Sequence, residues 1–277
     1  MRDIGGFFRR NRLAALGAAV LALLLLGLLL APVLAPSPIA VDVTQRLLPP
    51  GAGHLLGTDA LGRDVLSRVL HGGRATLAIG VGVVALAFAV GVAAGTIAGF
   101  LGGVTDMLIM RLADAMLSFP GLVLAIALAA ALGPGLGNAM LAVAVTLAPQ
   151  FARLARGQAL SIATRPYVEA AVAAGTPPLR ILTRHVLPNG IGALLVQASL
   201  AVGSAILQTA GLGFLGLGAQ PPLPEWGADV ATNLALVREA PWVALAPGAA
   251  ILLAALSFNL LGDGLADWFD PRRRMAA

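Results

Sequence analysis

Long uncharged apolar blocks alternate with short arginine-bearing stretches along the whole chain. A bilayer-crossing helix needs about 20 predominantly apolar residues, each rising about 1.5 Å through a hydrocarbon core about 30 Å thick. Leu13 to Leu34 meets that length with no charge, and Ala75 to Thr105 is long enough for a second span. Ala115 to Ala152 is uncharged throughout, but Gly133-Pro134-Gly135-Leu136-Gly137-Asn138 in its middle is turn chemistry and predicts a hairpin of two spans. Val186 to Pro224 supplies a fifth span, roughly Asn189 to Ala210, followed by a Gly- and Pro-rich loop, and Ala240 to Gly262 supplies the sixth. The pattern predicts an all-α integral membrane chain with six transmembrane helices. A cytoplasmic arm covers 1–12, the first span 13–34, an external segment 35–74, and a core with the other five spans 75–277.

Arginine placement orients these spans, because cytoplasmic segments carry the positive excess. With the N-terminus inside, the inner segments hold 13 arginines, against Arg46, Arg63, Arg68, Arg74 and Arg238 outside. Both termini are then cytoplasmic. The first span could instead be a cleaved signal peptide, but its apolar run exceeds the roughly 7–15 residues usual for one. Gly91, Gly95 and Gly99 repeat every fourth residue along the second span, so one helical face is open to close approach of another backbone. Plain helix packing explains that stripe, with a role in gating as the alternative.

Composition narrows the chemistry. At 58% hydrophobic and 11% charged, the chain lies far from the globular average of roughly 45–50% apolar and about 25% charged. Cysteine is absent, which excludes disulfides, thiolate metal clusters and cysteine nucleophiles. All 18 basic residues are arginine, so a Walker A loop, Schiff-base chemistry and Ser-Lys dyads are excluded too. The arginines form no single stripe of the kind that binds nucleic acid. His54, His71 and His185 are scattered, and no metal site is expected.

Three stretches break the apolar trend. The outer one carries His54 to Arg68, in which Gly57 and Gly62 bracket an Asp-rich turn and Asp64 and Arg68 have the spacing of a helical i,i+4 pair. The inner one runs from Arg153 to Arg184. There Pro166 suits a first helical turn, Tyr167 to Ala174 favours helix, and Gly175 with Thr176-Pro177-Pro178 ends it. This predicts a short cytoplasmic helix between spans 4 and 5, with small side chains and one carboxylate, Glu169. Such a surface fits a groove on another protein better than lipid headgroups, which favour a basic polar face opposite Trp, Phe or Leu. The third stretch is Ser257 to Asp267 with Asp270-Pro271-Arg272, where Arg272 to Arg274 form a charge anchor.

Within the spans, Gln197, Ser204 and Gln208 lie 7 and 11 positions apart and share one helical face. They are candidates for lining a translocation path or for interhelical hydrogen bonds. Asp114 has the spacing of an i,i+3 pair with Arg111. The spans lack the mid-depth acids of an ion-coupled secondary transporter. No nucleophile, base and orienter set marks an enzyme.

At the level of motifs, the chain resembles the C-type permease subunit of the peptide/nickel branch of ABC importers. His54 to Arg68 is similar to that branch's HxLGTDxxGRDxxSR element, and Pro166 to Asn189, with Glu169-Ala170-Ala171, Gly175 and Leu187-Pro188, to the permease EAA signature. Phe214-Leu215-Gly216-Leu217-Gly218 with Gln220-Pro221-Pro222 and Trp226-Gly227, and then Ser257 to Arg272, resemble the family's later motifs in the same order. Thr209 stands where the family commonly has glutamate, Gly213 where it has serine, and Pro177-Pro178 where Ala and Ser are usual.

The resemblance implies a type I ABC importer permease fold with a coupling helix over Pro166 to Ala174. It assigns ATPase coupling to Tyr167, Glu169, Ala170, Ala171, Gly175 and Arg180, and an external motif to Gly57, Asp59, Gly62, Arg63 and Asp64. It further implies a homologous B-type permease as heterodimer partner, two ABC ATPase subunits that bind ATP and Mg, an extracytoplasmic binding protein, and membrane lipid. No cofactor is expected in this chain, and hydrolysis belongs to the partner. The location implied is a bacterial or archaeal cytoplasmic membrane. The cargo implied is di- or oligopeptide, with nickel chelates or another small solute as the alternative.

Overall fold

The computed structural model describes residues 7–9, 11–35 and 37–269. The Asp270-Pro271-Arg272 motif, the anchor Arg272 to Arg274 and most of the arm over 1–12 lie outside the described residues. Within them the elements are helical, apart from one isolated β-bridge between Thr58 and Asp64. In chain order they are α1 (Arg12–Leu34), α2 (Val65–Leu101), α3 (Gly103–Leu117), α4 (Gly121–Leu132), α5 (Leu136–Ala163), α6 (Pro166–Ala173), α7 (Pro178–Phe214), α8 (Trp226–Asn233) and α9 (Pro241–Phe269). A π-helical turn, Leu182–Val186, lies inside α7.

Hydropathy boundaries and helix boundaries differ in instructive ways. The second span was expected from Ala75, but α2 starts at Val65. The Asp64 side chain accepts the Ser67 N–H at 2.7 Å and caps a single 37-residue helix. The 35–74 segment therefore leaves the irregular backbone ten residues early, and Arg68 and Arg74 are helical. The expected first arm of the hairpin is broken. Pro120 has no N–H to continue a helix and disfavours helical backbone at Phe119, so α3 and α4 meet at 93°. The expected inner segment also shortens, because residues 153–163 complete α5.

Among the described residues, four helices (α1, α2, α7 and α9) are long and apolar enough to cross a membrane, or five structures if the bent α3–α4 pair is one span. The expected six is not reached on length and composition. The 28 residues of α5 suffice in length, but Gln150, Arg153, Arg156 and Gln158 interrupt its apolar run.

The core forms where α2, α5, α7 and α9 meet, around Val83, Val143, Phe151, Leu194, Ile206 and Trp226. Close contact between helices rests on small residues, as expected where lipid is as apolar as the side chains. The Gly91, Gly95, Gly99 stripe lies directly on α5. A Cβ at Gly91 would fall 2.7 Å from Phe151 Cβ, one at Gly99 would fall 2.7 Å from the Arg156 carbonyl oxygen, and one at Gly95 would overlap the Ala152 carbonyl. The stripe therefore packs a backbone-to-backbone seam. By contrast, α1 is apolar around most of its circumference and only partly covered, with Leu23, Leu29 and Val33 exposed as on a lipid-facing helix.

Candidate functional site

The inner segment builds its helix from local punctuation. Pro166 occupies the first helical position, and Glu169 lies in the first turn, where a negative charge faces the positive end of the helix dipole. An eight-residue helix is marginal alone. What holds α6 is Val168, 1% exposed, which packs with Ala159 and Ile162 of α5 and Ile181, Leu182 and Val186 of α7. Burying such a side chain contributes about 1.5–3 kcal/mol.

The other face is bare. Tyr167, Glu169, Ala170, Gly175 and Arg180 are exposed, and Ala171 is half-buried. Among the described residues Glu169 and Arg180 make no ion pair. Gly175 ends the helix at φ +74°, where its N–H donates to the Val172 carbonyl at 2.9 Å and the Thr176 N–H donates to the Ala171 carbonyl at 3.1 Å. This bonding is a Schellman cap, which needs left-handed backbone at this position.

On α7, Ser204 is exposed while Gln197 and Gln208 are half-buried. The Gln208 Oε1 is buried without a hydrogen-bond partner among the described residues. Neighbouring hydroxyls behave differently, since Thr209 Oγ1 donates to the Ala205 carbonyl at 2.8 Å and Ser257 Oγ donates to Leu253 at 2.7 Å.

The outer motif forms a tight loop at the opposite end of the bundle. Asp59 is 1% exposed. Its Oδ1 accepts the N–H groups of Leu61 and Arg63 at 2.8 and 2.9 Å, and its Oδ2 accepts Arg63 Nε at 2.6 Å. Gly62, at φ +73°, allows the turn, and a Cβ there would overlap the Asp42 carbonyl. Gly57 is buried against Trp242, whose Nε1 donates to the Thr58 carbonyl at 3.2 Å. Asp64, expected to pair with Arg68, instead caps α2 and meets His54 Nδ1 at 2.8 Å. The i,i+4 ion pair is Asp59–Arg63.

Arg68 reaches a residue the sequence pattern left unmarked. Its guanidinium binds Asp229 of α8, and its Nη1 donates to the Pro38 carbonyl at 3.1 Å. Burial pushes the Asp229 carboxyl up to about 6 against the pull of Arg68. Glu225 caps α8 through the N–H groups of Gly227 and Ala228 at 2.9 and 2.8 Å, and accepts Thr76 Oγ1 at 3.2 Å. Burial raises its carboxyl also. The other unmarked contacts lie at the inner end. Asp114 pairs with Arg153 of α5 at 2.6 Å rather than with Arg111, and Arg156 forks onto both oxygens of Asp106, with Nη2 to Oδ2 at 2.6 Å. No local spacing announces such pairs between helices.

Long apolar helices, a helix with a bare polar face at one end and a locked loop at the other define a multi-pass membrane protein built to work with partners. Residues 91–275 match the family described as binding-protein-dependent transport system inner membrane component, and residues 1–50 match the N-terminal transmembrane domain of oligopeptide transport permease C. The chain belongs to the first of these families, as an inner-membrane permease component. A probable D,D-dipeptide transport system permease of Escherichia coli strain K12 is 50% identical over 94% of this chain and 88% of its own length. A di/tripeptide transport system permease of Pseudomonas aeruginosa is 44% identical over 100% of this chain and 94% of its own. In structure, a chain of the MetNI methionine ABC transporter in an inward-facing conformation superposes with a TM-score of 0.59, covering 71% of this chain and 93% of that one at 19% identity. That likeness speaks to the fold alone.

Proposed function

We propose that this chain is the C-type permease subunit of an ATP-driven importer of short peptides, forming half of the translocation path beside a homologous B-type permease. The observation that carries the reading is α6: a short helix anchored by one buried valine, with Glu169 and its small neighbours left uncovered. Such a surface suits the cleft of an ATPase subunit. Two such subunits would bind ATP and Mg, and their closure would move α6 and, through its anchor, α5 and α7. A chain without lysine cannot supply a Walker A loop, which supports placing hydrolysis on a partner and a non-catalytic role here.

The peptide cargo is supported by the names of the relatives, whose identity spans nearly the whole chain. An extracytoplasmic binding protein would deliver it. The arginine distribution supports cytoplasmic termini, and counting α5 with the bent α3–α4 pair completes six spans. The stripe of Gln197, Ser204 and Gln208 is a candidate path lining, supported by an exposed serine and an amide oxygen with no hydrogen-bond partner among the described residues.

The test is reconstitution with the partner permease, ATPases and binding protein. Glu169→Gln combined with Arg180→Gln is expected to abolish peptide-stimulated ATP hydrolysis while the chain still folds. Unchanged assembly and transport, or an active single chain without an ATPase, would refute the reading.

A further inference from the structure

A cleft of about 340 Å³ opens at the end of the bundle that holds the Asp59 loop, and neither the coupling helix nor the α7 stripe contributes to it. That volume lies within the roughly 300–1,000 Å³ of small-molecule sites. Its walls include apolar Phe214 and Leu223, the Gln220 side chain, and three charged groups drawn from separate elements: Arg63, Arg68 and Asp229.

The three charged groups are unequally satisfied. Arg68 uses its Nε, Nη1 and Nη2 on Asp229 and the Pro38 carbonyl. The Arg63 side chain is 10% exposed, yet it donates only through Nε, to Asp59, and among the described residues its two terminal nitrogens make no hydrogen bond. A guanidinium carries five N–H donors in a planar fork, and its terminal edge matches a carboxylate with two parallel bonds. Asp59 holds the Nε side of the plane, with its own other oxygen committed to two backbone N–H groups. The terminal nitrogens of Arg63 are thus left for another acceptor.

Asp229, 6% exposed, supplies the complementary vacancy. Its Oδ1 is taken by Arg68, and its Oδ2 is buried with no donor among the described residues. A buried charged group without its full set of partners is costly. One cleft therefore lacks both an acceptor for a guanidinium and a donor for a carboxylate. A small zwitterion supplies both.

We propose that this cleft is a receiving subsite for a free short peptide, with Arg63 taking its C-terminal carboxylate and Asp229 its N-terminal ammonium. The proposal rests on the importer reading and adds to it a site on the permease itself, occupied before the peptide enters the path. A protein partner could present the same carboxylate from an acidic side chain, and the experiment separates the two sources.

The complete complex of both permeases and ATPases, embedded in nanodiscs without the binding protein, is titrated with alanyl-alanine and with alanyl-alaninamide by calorimetry. Free alanyl-alanine is expected to bind at least about tenfold more tightly than the amide, which lacks the carboxylate for Arg63. Because Arg63→Gln also unpairs buried Asp59 and could unfold the loop, Thr232→Trp serves as a second variant. Thr232 is exposed and lines the cleft, so an indole there fills it while every residue of both ion pairs is kept. It is expected to remove alanyl-alanine binding while leaving the melting temperature unchanged. Equal affinity for the two peptides, or full binding by the filled variant, overturns the subsite. A filled variant that loses affinity only for the binding protein also overturns it, assigning the cleft to an acidic side chain of that partner. Binding-protein-dependent transport that persists in either of these cases leaves the importer reading standing, whereas a complex that never assembles with ATPases defeats that reading first.

Discussion

Gly175 offers a way to separate two roles for a small residue beside the proposed ATPase interface. One role is to permit close approach of the ATPase surface. The other is to adopt left-handed backbone, which the Schellman cap of α6 requires at φ +74°. The structure predicts the second. A Cβ built on Gly175 meets nothing within 4 Å in this chain, so an alanine there faces a backbone cost of about 1–2 kcal/mol and no clash within the subunit. That cost is set against a helix held chiefly by Val168, whose burial contributes about 1.5–3 kcal/mol. Between about a third and all of the local margin would be lost, which is a factor of about 5–30 in the ratio of capped to frayed helix end.

Asparagine tolerates the left-handed region better than alanine although it is larger. The expected order of peptide-stimulated ATP hydrolysis is therefore wild type, then Gly175→Asn, then Gly175→Ala, with hydrogen exchange at residues 170–176 faster in the alanine variant. An Asn variant worse than the Ala variant would mean that steric access to the partner decides. Alanine at wild-type activity would refute both roles.

Three further outcomes follow from named contacts. Gly95→Ala, which drives a Cβ into the Ala152 carbonyl, is expected to lower stability in detergent by about 1–3 kcal/mol, while Gly157→Ala, open on all sides, is expected to be neutral or slightly stabilising; thermal unfolding in the reverse order contradicts the seam. Arg156→Gln, which breaks a two-pronged pair to Asp106, is expected to lower the melting temperature more than Arg153→Gln, whose single contact joins partners that are both more than half exposed; equal melting temperatures would count against it. For Asp229 the folded carboxyl titrates near 6, above its ordinary 3.8, so the folded chain takes up the proton first and stability contributed by this group falls as pH rises from about 4 to about 6. At about 1.4 kcal/mol per pH unit the change is on the order of 3 kcal/mol, and melting curves of Asp229→Asn across that window should lack it.

How far the sequence pattern reached depends on whether the signal was local. Two elements announced themselves. The expected first span over 13–34 and the short helix over 166–174 agree closely with α1 and α6, because an uninterrupted apolar run and the pair of Pro166 and Gly175 are signals contained in a few residues. The start of α2 was hidden by the choice of indicator: hydropathy marks where lipid begins, whereas Asp64 starts the helix by capping it, ten residues into polar sequence. The break at Pro120 was legible, since a proline inside an uncharged block carries its own warning, yet the stronger turn at 133–138 drew the hairpin around it. The pairing of Arg68 with Asp229 joins residues 161 positions apart, and no spacing rule selects that partner over Asp64. Asp114 shows the same limit, with Arg111 near in sequence and Arg153 near in space.

Those long-range contacts decide which parts of the bundle can move separately. One element, α5, meets α6 through Ala159 and Ile162, meets α3 through Arg153 and Arg156, and meets α2 along the glycine seam. At Gly95 the contact is backbone against backbone, with no flexible side chain to absorb sliding. A push on α6 therefore carries α5 and α2 together. Helical hydrogen bonding breaks at residues 118–120, beyond which α4 departs at 93° and packs Ala125 and Ala129 into the core. Were an ATPase subunit to seat on α6, a displacement arriving through Val168 would carry α5 together with α3, joined to it by ion pairs, and α2, joined to it by direct backbone contact.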